Sequence, residues 1–508
     1  MPTPVGLDRA SRVVGYDLTG ADFNPSSPNL PQRILILAEA NFANQGTLDL
    51  TKQEITSQKQ AGIKYGYGSP IHMIMRILRP LFSDGVGGIP TLVIPQAMEV
   101  GSQARTVTIT PAGIATKGGT HFLKIAGRTD IDGQPYALNI SAGDTIAVIN
   151  QKISNAVNAI LASPMSATNT DYVSTLTTKW RGLTAQGITV SVDTGEDSLG
   201  LTYTVTQTQA GSGQPDIAPA LALIGNEWNT LVINGYGAVS TIMSALEAFN
   251  GRPAEDENGT PTGRYVGTIW KPFVAITGSV LENPSTLTDP RKAEVTIAIA
   301  PAPLSEAHPF EAAANATLLY SVKAQNSPEL DISGQSYPDM PTPSSIGLMA
   351  DYNERDAILK KGCSTVNLVS GRYQVQDFVT TYHPDGEVVP QFRHVRNLVG
   401  VDFNVRYGYL LKEQQFVLDK VILNNDDESN SQNTIKPKGW KQVLFAYADD
   451  LSLRALIVDA AFFKANLFVS ISSTNPDRFE TRFKYKRSGI ARIAATQAQA
   501  GFNYGTVN

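Results

Sequence analysis

The chain has 508 residues, 42% of them hydrophobic and only 17% charged, which suggests about three domains and a core that needs no metal or disulfide to fold. Its 41 lysines and arginines against 46 aspartates and glutamates give a net charge of −5, which argues against nucleic acid as the main partner. The single cysteine, Cys363, excludes intrachain disulfides and multi-cysteine metal sites.

Apolar stretches in the sequence are short. None has the length of a signal-peptide core or of a transmembrane helix. We therefore expect a protein that is made in the cytoplasm and does not insert into a membrane.

The first 32 residues do not have the pattern of a domain. Five prolines interrupt them, and residues 12–18 can form one short strand with the apolar side chains of Val13, Val14, Tyr16 and Leu18. Such a strand cannot bury a core alone, so residues 1–32 are predicted to be an N-terminal arm that lies on another surface.

An α/β pattern follows in two separate parts of the chain. Residues 33–38 are a continuous apolar run, and capped helices begin after Ser57 and Ser69 before a second strand at 91–94. The pattern resumes at Asp216, with strands expected near 230–233, 273–276 and 295–299. We therefore predict a discontinuous α/β core domain, residues 33–100 and 211–345, with a mostly parallel sheet.

Residues 101–210 interrupt this pattern. They are rich in threonine, glycine and serine and contain short alternating stretches that are typical of strands. One helix is expected between them, with Ile149, Ile153, Val157 and Ile160 on one face. The segment is predicted to be an inserted β-rich outer domain.

The last third changes character again. Residues 346–476 are predicted to form an inner α+β domain, and residues 477–508 a second, C-terminal arm. In this arm Phe479, Phe483 and Tyr485 alternate with basic residues, so a strand there would have one aromatic and one basic face. Ile490 and Ile493 continue its apolar side chains. We expect the arm to be dispensable for folding, because no domain of its own is evident for it.

The sequence contains no motif that is typical of a catalytic site. Gly66-Tyr67-Gly68 before a helix resembles half of a dinucleotide fingerprint, but it lacks the third glycine and the preceding strand. His383 is interpreted as a turn residue, His394 as part of a solvated or interface surface, and Cys363 as a buried small hydrophobe. No catalytic residue, metal site or cofactor is predicted, and the protein is not expected to be an enzyme.

The two arms are then the main positive feature. An unpaired strand is a costly edge, and adding it to the sheet of a neighbouring copy removes that cost. Such a contact is head-to-tail and generates rings or helical polymers. The residues predicted to form these inter-subunit strands are Val13, Val14, Tyr16, Leu18, Phe479, Phe483, Tyr485, Ile490 and Ile493.

In their order along the chain, several loose motifs resemble the sheath proteins of contractile phage tails, specifically the Mu-like group. The segments that carry the resemblance are residues 32–37, 55–69, 215–229, 379–382 and 435–478. The resemblance implies a virion structural protein that forms stacked sixfold rings around a tail tube and contracts for host cell entry and genome ejection. The tube protein, the baseplate and the tail terminator would be its partners. On charge alone, Lys436, Lys438 and Lys441 are expected to contact the tube.

Two other functions remain open at this point. The first is another self-assembling surface-layer or fibre protein, which would also explain low charge and arms. The second is a carbohydrate-active enzyme with a β-rich binding insert at 101–210, since carboxylates distant in sequence can pair across a cleft.

Overall fold

A central sheet of six strands organises the protein, of which a computed structural model describes residues 28–256, 258–343 and 349–502. In spatial order its strands are Ile297–Pro301, Val274–Ser279, Leu231–Asn234, Ile34–Glu39, Thr91–Gln96 and Gln53–Glu54. All neighbours are parallel except the short edge strand Gln53–Glu54. The predicted mixed α/β class is confirmed, and strands are present at each of the five positions predicted for the sheet.

Both faces of this central sheet are covered. Every residue of Ile34–Glu39 is buried, with Ile34 and Ile36 in one hydrophobic cluster and Leu35 and Leu37 in another. Helices on the first face are Gln58–Tyr65, Pro70–Leu78 and Pro309–Asn326, and those on the second are Ala218–Ala222, Ser240–Asn250 and Tyr352–Lys360. Cys363 is fully buried in the second cluster, as predicted.

The longest helix, Pro309–Asn326, is one that the sequence pattern does not predict. Its alanine-rich residues are buried on nearly all sides against the sheet and the helix Pro70–Leu78, so it has no polar face to produce a helical period. Its beginning is marked by Pro309 at the first helical position and by Glu311, whose carboxylate accepts a hydrogen bond from the His308 backbone amide at 3.3 Å.

Residues 101–212, here called the insert, form two antiparallel sheets around a helix. The strands of the first sheet are Leu201–Gln209, Thr106–Gly113, Ser174–Thr178 and Met165–Asn169, and those of the second are Val190–Asp193, Gly119–Ile125 and Ala137–Ile140. The helix Ile146–Asn158 buries Ile149, Ile153 and Val157, as their spacing predicts. These side chains belong to the same hydrophobic cluster as the first face of the central sheet. The insert therefore shares its core with that sheet.

The insert also fills the crevice at the carboxyl end of the central strand. In sheets of this topology ligands usually bind there, where the chain order reverses beside Ile34–Glu39. Here Glu39 accepts a hydrogen bond from the Thr184 hydroxyl, which in turn accepts one from the Trp180 indole at 2.9 Å. Trp180 is fully buried and Glu39 is 2% exposed. The usual ligand position is thus occupied by the chain itself.

A network of buried charges joins the insert to the helices of the core. Arg128 of the insert pairs with Glu311 of the long helix and with Asp339 at 2.5 Å. Arg76 on the helix Pro70–Leu78 bridges Asp339 at 2.6 Å and Asp132 of the insert at 2.9 Å. Breaking a buried pair by removing one partner is costly, so this network fixes how the insert sits on the core.

The remaining residues form a hairpin and a small helical unit. The hairpin pairs Thr365–Val369 with Arg372–Asp377, and an isolated bridge between Ala298 and Thr380 links the next segment of the chain to the edge of the central sheet. Residues 396–488, here called the C-terminal unit, have their own cluster around Trp440, Leu444 and Tyr447. Its helical segments are Arg396–Asp402, which is π-helical, Phe403–Phe416, Pro437–Leu453 and Ala460–Ala465.

Three short strand pairs complete the C-terminal unit. They are Val421–Ile422 with Thr434–Ile435, Ile457–Val458 with Lys486–Arg487, and Phe468–Ile471 with Phe479–Arg482. None of the helices in the described ranges has the length and apolar character needed to cross a bilayer.

Burial of Glu39 should make stability depend on pH in one direction. Desolvation raises the pKa of this carboxyl to about 8, against the lowering effect of the Thr184 hydroxyl. The folded state then binds the proton more tightly than the unfolded state, so this contribution is complete below the unfolded pKa and is lost as pH rises towards 8. We expect wild type to lose up to about 1.4 kcal/mol per pH unit relative to Glu39→Gln over this window.

Urea unfolding of both proteins between pH 5 and 8.5 measures this difference. Glu54→Gln, on the exposed edge strand of the same sheet, is the matched control. Its free energy of unfolding should depend on pH as that of wild type does. A constant difference between wild type and Glu39→Gln across the pH range would contradict the assignment.

Candidate inter-subunit interface

The C-terminal segment packs on its own chain through its strands as far as residue 488, and beyond them Arg492 pairs with Asp331. The strand Phe479–Arg482 pairs with Phe468–Ile471 in the register Ile471 to Phe479, and Lys486–Arg487 pairs with Ile457–Val458. The expectation that residues 477–508 have no surface of their own chain to pack on is therefore wrong for this part.

The aromatic face predicted for this segment explains its position. The Phe483 ring stacks on Phe463 with 4.8 Å between centroids and lies 5.5 Å from Tyr409. Tyr485 donates a hydrogen bond to Asp402 at 2.8 Å, and Arg487 forms two hydrogen bonds with the same carboxylate at 2.7 Å. The alternation was correctly predicted as one aromatic face, and the C-terminal unit supplies the partners. The inter-subunit role of Phe479, Phe483 and Tyr485 stays a prediction.

The hairpin formed by Phe468–Ile471 and Phe479–Arg482 has open edges. Within the described ranges neither of its strands has a second strand partner. Phe468 is 53% exposed, and beside it lies a groove of about 550 Å³ whose walls include Tyr409, Trp440 and Phe479. An open strand edge beside a groove lined by both aromatic and charged side chains is a surface on which another strand can be added.

The described tail beyond this unit is irregular and exposed. Ile490 is half-buried, whereas every residue from 493 to 502 is exposed, with Ile493 at 91% and Phe502 at 87%. These residues form neither helix nor strand. The other predicted arm residues, Val13, Val14, Tyr16 and Leu18, lie outside the described residues.

The three lysines expected at the tube lie together at the beginning of the helix Pro437–Leu453. Lys438 is exposed, and the Lys441 ammonium lies 5.6 Å from the centre of the Phe445 ring. The Lys436 ammonium donates to the carbonyl of Asp427 in the neighbouring acidic loop. The three lysines thus lie within the first turns of one helix, and their contact with a tube stays a prediction.

The histidines occupy polar or apolar interior positions. Burial lowers the pKa of His72 and His308 to about 4. His394 is half-buried, and its pKa is lowered to about 3, by burial first and then by three neighbouring arginines. It is therefore not a fully solvated side chain, and the alternative of an interface position stays a prediction. His383 is buried, with its Nδ1 atom 2.6 Å from the Thr381 carbonyl.

Three further features bear on possible catalysis. The residues after Gly66 form a turn and a capped helix start, with Ser69 accepting from the His72 amide. Among the described residues, no group of three or more histidines, cysteines and carboxylates is placed to hold a metal ion. Burial raises the pKa of the Cys363 thiol, which disfavours the reactive thiolate.

Comparison with known proteins gives one match in sequence. The chain is 24% identical over 488 residues to the Mu-like prophage FluMu tail sheath protein of Haemophilus influenzae, covering 94% of this chain and 93% of that protein. A solved structure, the sheath tail protein of Desulfitobacterium hafniense, aligns with a TM-score of 0.44 and 12% identity over 93% of this chain and all of that one. No protein-family model matches. The predicted resemblance to Mu-like tail sheath proteins is confirmed.

Packing of the aromatic face predicts a stability effect within a single subunit. Replacing Phe483 by alanine removes its stacking on Phe463 and Tyr409, and we expect a loss of about 2 kcal/mol because the ring is only half-buried. Denaturant unfolding of dissociated protein measures it. Arg482→Ala, one position away with an exposed side chain, is the control. Unchanged stability of Phe483→Ala would mean that the ring has another role.

Proposed function

We propose that this chain is a structural subunit of a contractile phage tail sheath. The observation that carries the proposal is its similarity to a tail sheath protein over nearly the full length of both chains. In this role the subunits assemble as stacked sixfold rings around a tail tube, and contraction of the sheath drives the tube through the host envelope. The protein is made in the host cytoplasm and becomes part of the virion tail.

The assembly is held together by strand exchange between subunits. The open hairpin Phe468–Ile471 with Phe479–Arg482 is the acceptor, and the groove beside Phe468 receives side chains of the added strand. Strands from the tail around Ile490 and Ile493 and from the N-terminal arm of other subunits are the donors. Each added backbone hydrogen bond contributes about 1 kcal/mol net, so a strand of several residues makes a firm link.

Radial organisation follows from the same proposal. The C-terminal unit lies towards the tube, with Lys436, Lys438 and Lys441 as its contact surface, and the insert projects outward. The baseplate and the tail terminator bind the two ends of the sheath. No catalysis is required, since the work of contraction is stored in the assembled state.

Removing the exposed tail tests the assembly mechanism. A chain lacking residues 493–508 keeps every packed strand of the C-terminal unit, so we expect wild-type thermal stability but no polymers. Negative-stain electron microscopy of intact and shortened protein at equal concentration measures assembly. Tubes or stacked rings from the intact chain and single particles from the shortened one are the expected result. Tubes of normal length from the shortened chain would refute strand exchange through this tail.

Charge reversal tests the tube contact. The triple change Lys436→Glu, Lys438→Glu and Lys441→Glu should weaken co-sedimentation with purified tail tubes, more strongly at low salt, because exposed charges are screened as salt rises. The same reversal at exposed Lys59, Lys117 and Lys360 changes net charge equally and should leave tube binding intact. Equal tube binding by both triple variants would remove these lysines from the contact.

A further inference from the structure

The N-terminal and C-terminal segments of the described residues both contact one short turn. This turn, residues 325–333, follows the long helix Pro309–Asn326 and is here called the anchor turn. Its first residues contact the N-terminal segment and its last residues contact the C-terminal segment. The two segments are more than 450 residues apart in sequence, so their meeting is a property of the fold.

The N-terminal segment is fixed by side-chain hydrogen bonds at residues 29–32. The Asn29 amide group donates to the Gln325 carbonyl at 3.0 Å and accepts from Arg454 at 2.6 Å. The backbone amide of Gln32 donates to the Gln325 side chain at 2.8 Å, and that of Leu30 donates to Asn404 at 2.8 Å. The first residues that the structure describes are therefore held at the beginning of the anchor turn.

The C-terminal segment is fixed at the other end of the same turn. Arg492 pairs with Asp331, donates to Asp377 at 3.1 Å and donates to Ser333 at 3.3 Å. From residue 493 onward the described side chains are exposed. Among the residues that the structure describes, Arg492 is therefore the last side chain that ties the C-terminal segment to the body of the subunit.

A buried arginine connects the middle of the turn to the same segment. Arg396, 2% exposed, donates to the Glu329 carbonyl at 3.0 Å and to the carbonyl and hydroxyl of Ser488. Gly400, one turn along the same helical segment, leaves no room for a Cβ against the Pro328 carbonyl. The backbone of the turn is thus held against the C-terminal unit, and it cannot shift without disturbing either segment.

We propose that the anchor turn couples the two terminal segments and that Arg492 is the positioning residue of this coupling. The Asp331 side chain is only 3% exposed, so loss of Arg492 leaves a buried carboxylate without its main ion-pair partner. The turn then loosens, and Gln325 no longer holds the Gln32 amide. Order at one terminal segment stabilises the other, and by linkage the effect is reciprocal.

The coupling gives the proposed assembly a specific property, and in this sense it rests on the proposed function. A neighbour that binds the C-terminal segment also makes the N-terminal segment of the same subunit better ordered for its own neighbour. Links in a chain of subunits then form cooperatively. The coupling itself belongs to the single subunit and can be measured without assembly.

Hydrogen exchange of the full chain, dissociated at low concentration, is the decisive experiment. In Arg492→Gln the Gln32 amide should exchange about tenfold faster, while amides of the central strand Ile34–Glu39 stay as slow as in wild type. Arg492→Lys keeps the charge and should recover part of the protection. Arg478→Gln, which removes an exposed ion pair to Glu480, is the matched control and should change nothing at Gln32.

The reciprocal variant completes the test. Asn29→Ala should speed exchange of the Ser488 amide, which donates to the Leu456 carbonyl at 3.1 Å. An unchanged Gln32 amide in Arg492→Gln, or faster exchange throughout the central strand, would overturn the coupling and leave strand exchange untouched. Assembly of the chain lacking 493–508 would instead refute strand exchange through this tail, and an intact chain that forms neither tubes nor rings would count against the sheath role. Neither outcome changes the exchange results.

Discussion

The requirement to cover both faces of a parallel sheet governs this fold. The central strand Ile34–Glu39 is buried along its entire length, so helices must pack on each side of it, and its two ends must be closed by other parts of the chain. The insert closes the carboxyl end through Trp180 and Thr184. The C-terminal unit meets the amino end through the bond between Leu30 and Asn404. The crevice at the carboxyl end, where many such sheets bind a small molecule, is thereby filled by the chain itself.

The elements with a strong periodic pattern could be predicted from the sequence. The apolar run at 33–38, the capped helix after Ser69 and the apolar face of Ile146–Asn158 all follow from short-range rules. The helix Pro309–Asn326 could not be predicted from periodicity, because burial on all sides removes the polar face. In the sequence, only the residues from His308 to Glu311 indicate where this helix begins.

The candidate interface was predictable only in part, for a physical reason. Alternation of Phe479, Phe483 and Tyr485 reports that one face of a strand is covered, but it does not report by which chain. The answer depends on Asp402, Tyr409 and Phe463, whose proximity is a consequence of tertiary packing. The anchor turn cannot be predicted from sequence patterns, because each of its contacts joins residues far apart in the chain.

The long helix gives the subunit a stiff internal strut. Its first turn carries Glu311, which holds Arg128 of the insert, and its last turn carries Gln325, which holds the N-terminal segment. Eighteen residues of α-helix span about 27 Å. Because backbone hydrogen bonds resist compression along the helix axis, a displacement of the anchor turn along this axis also displaces the insert at the other end of the helix. We therefore expect movement at the terminal segments to be passed on to the sheets of the insert.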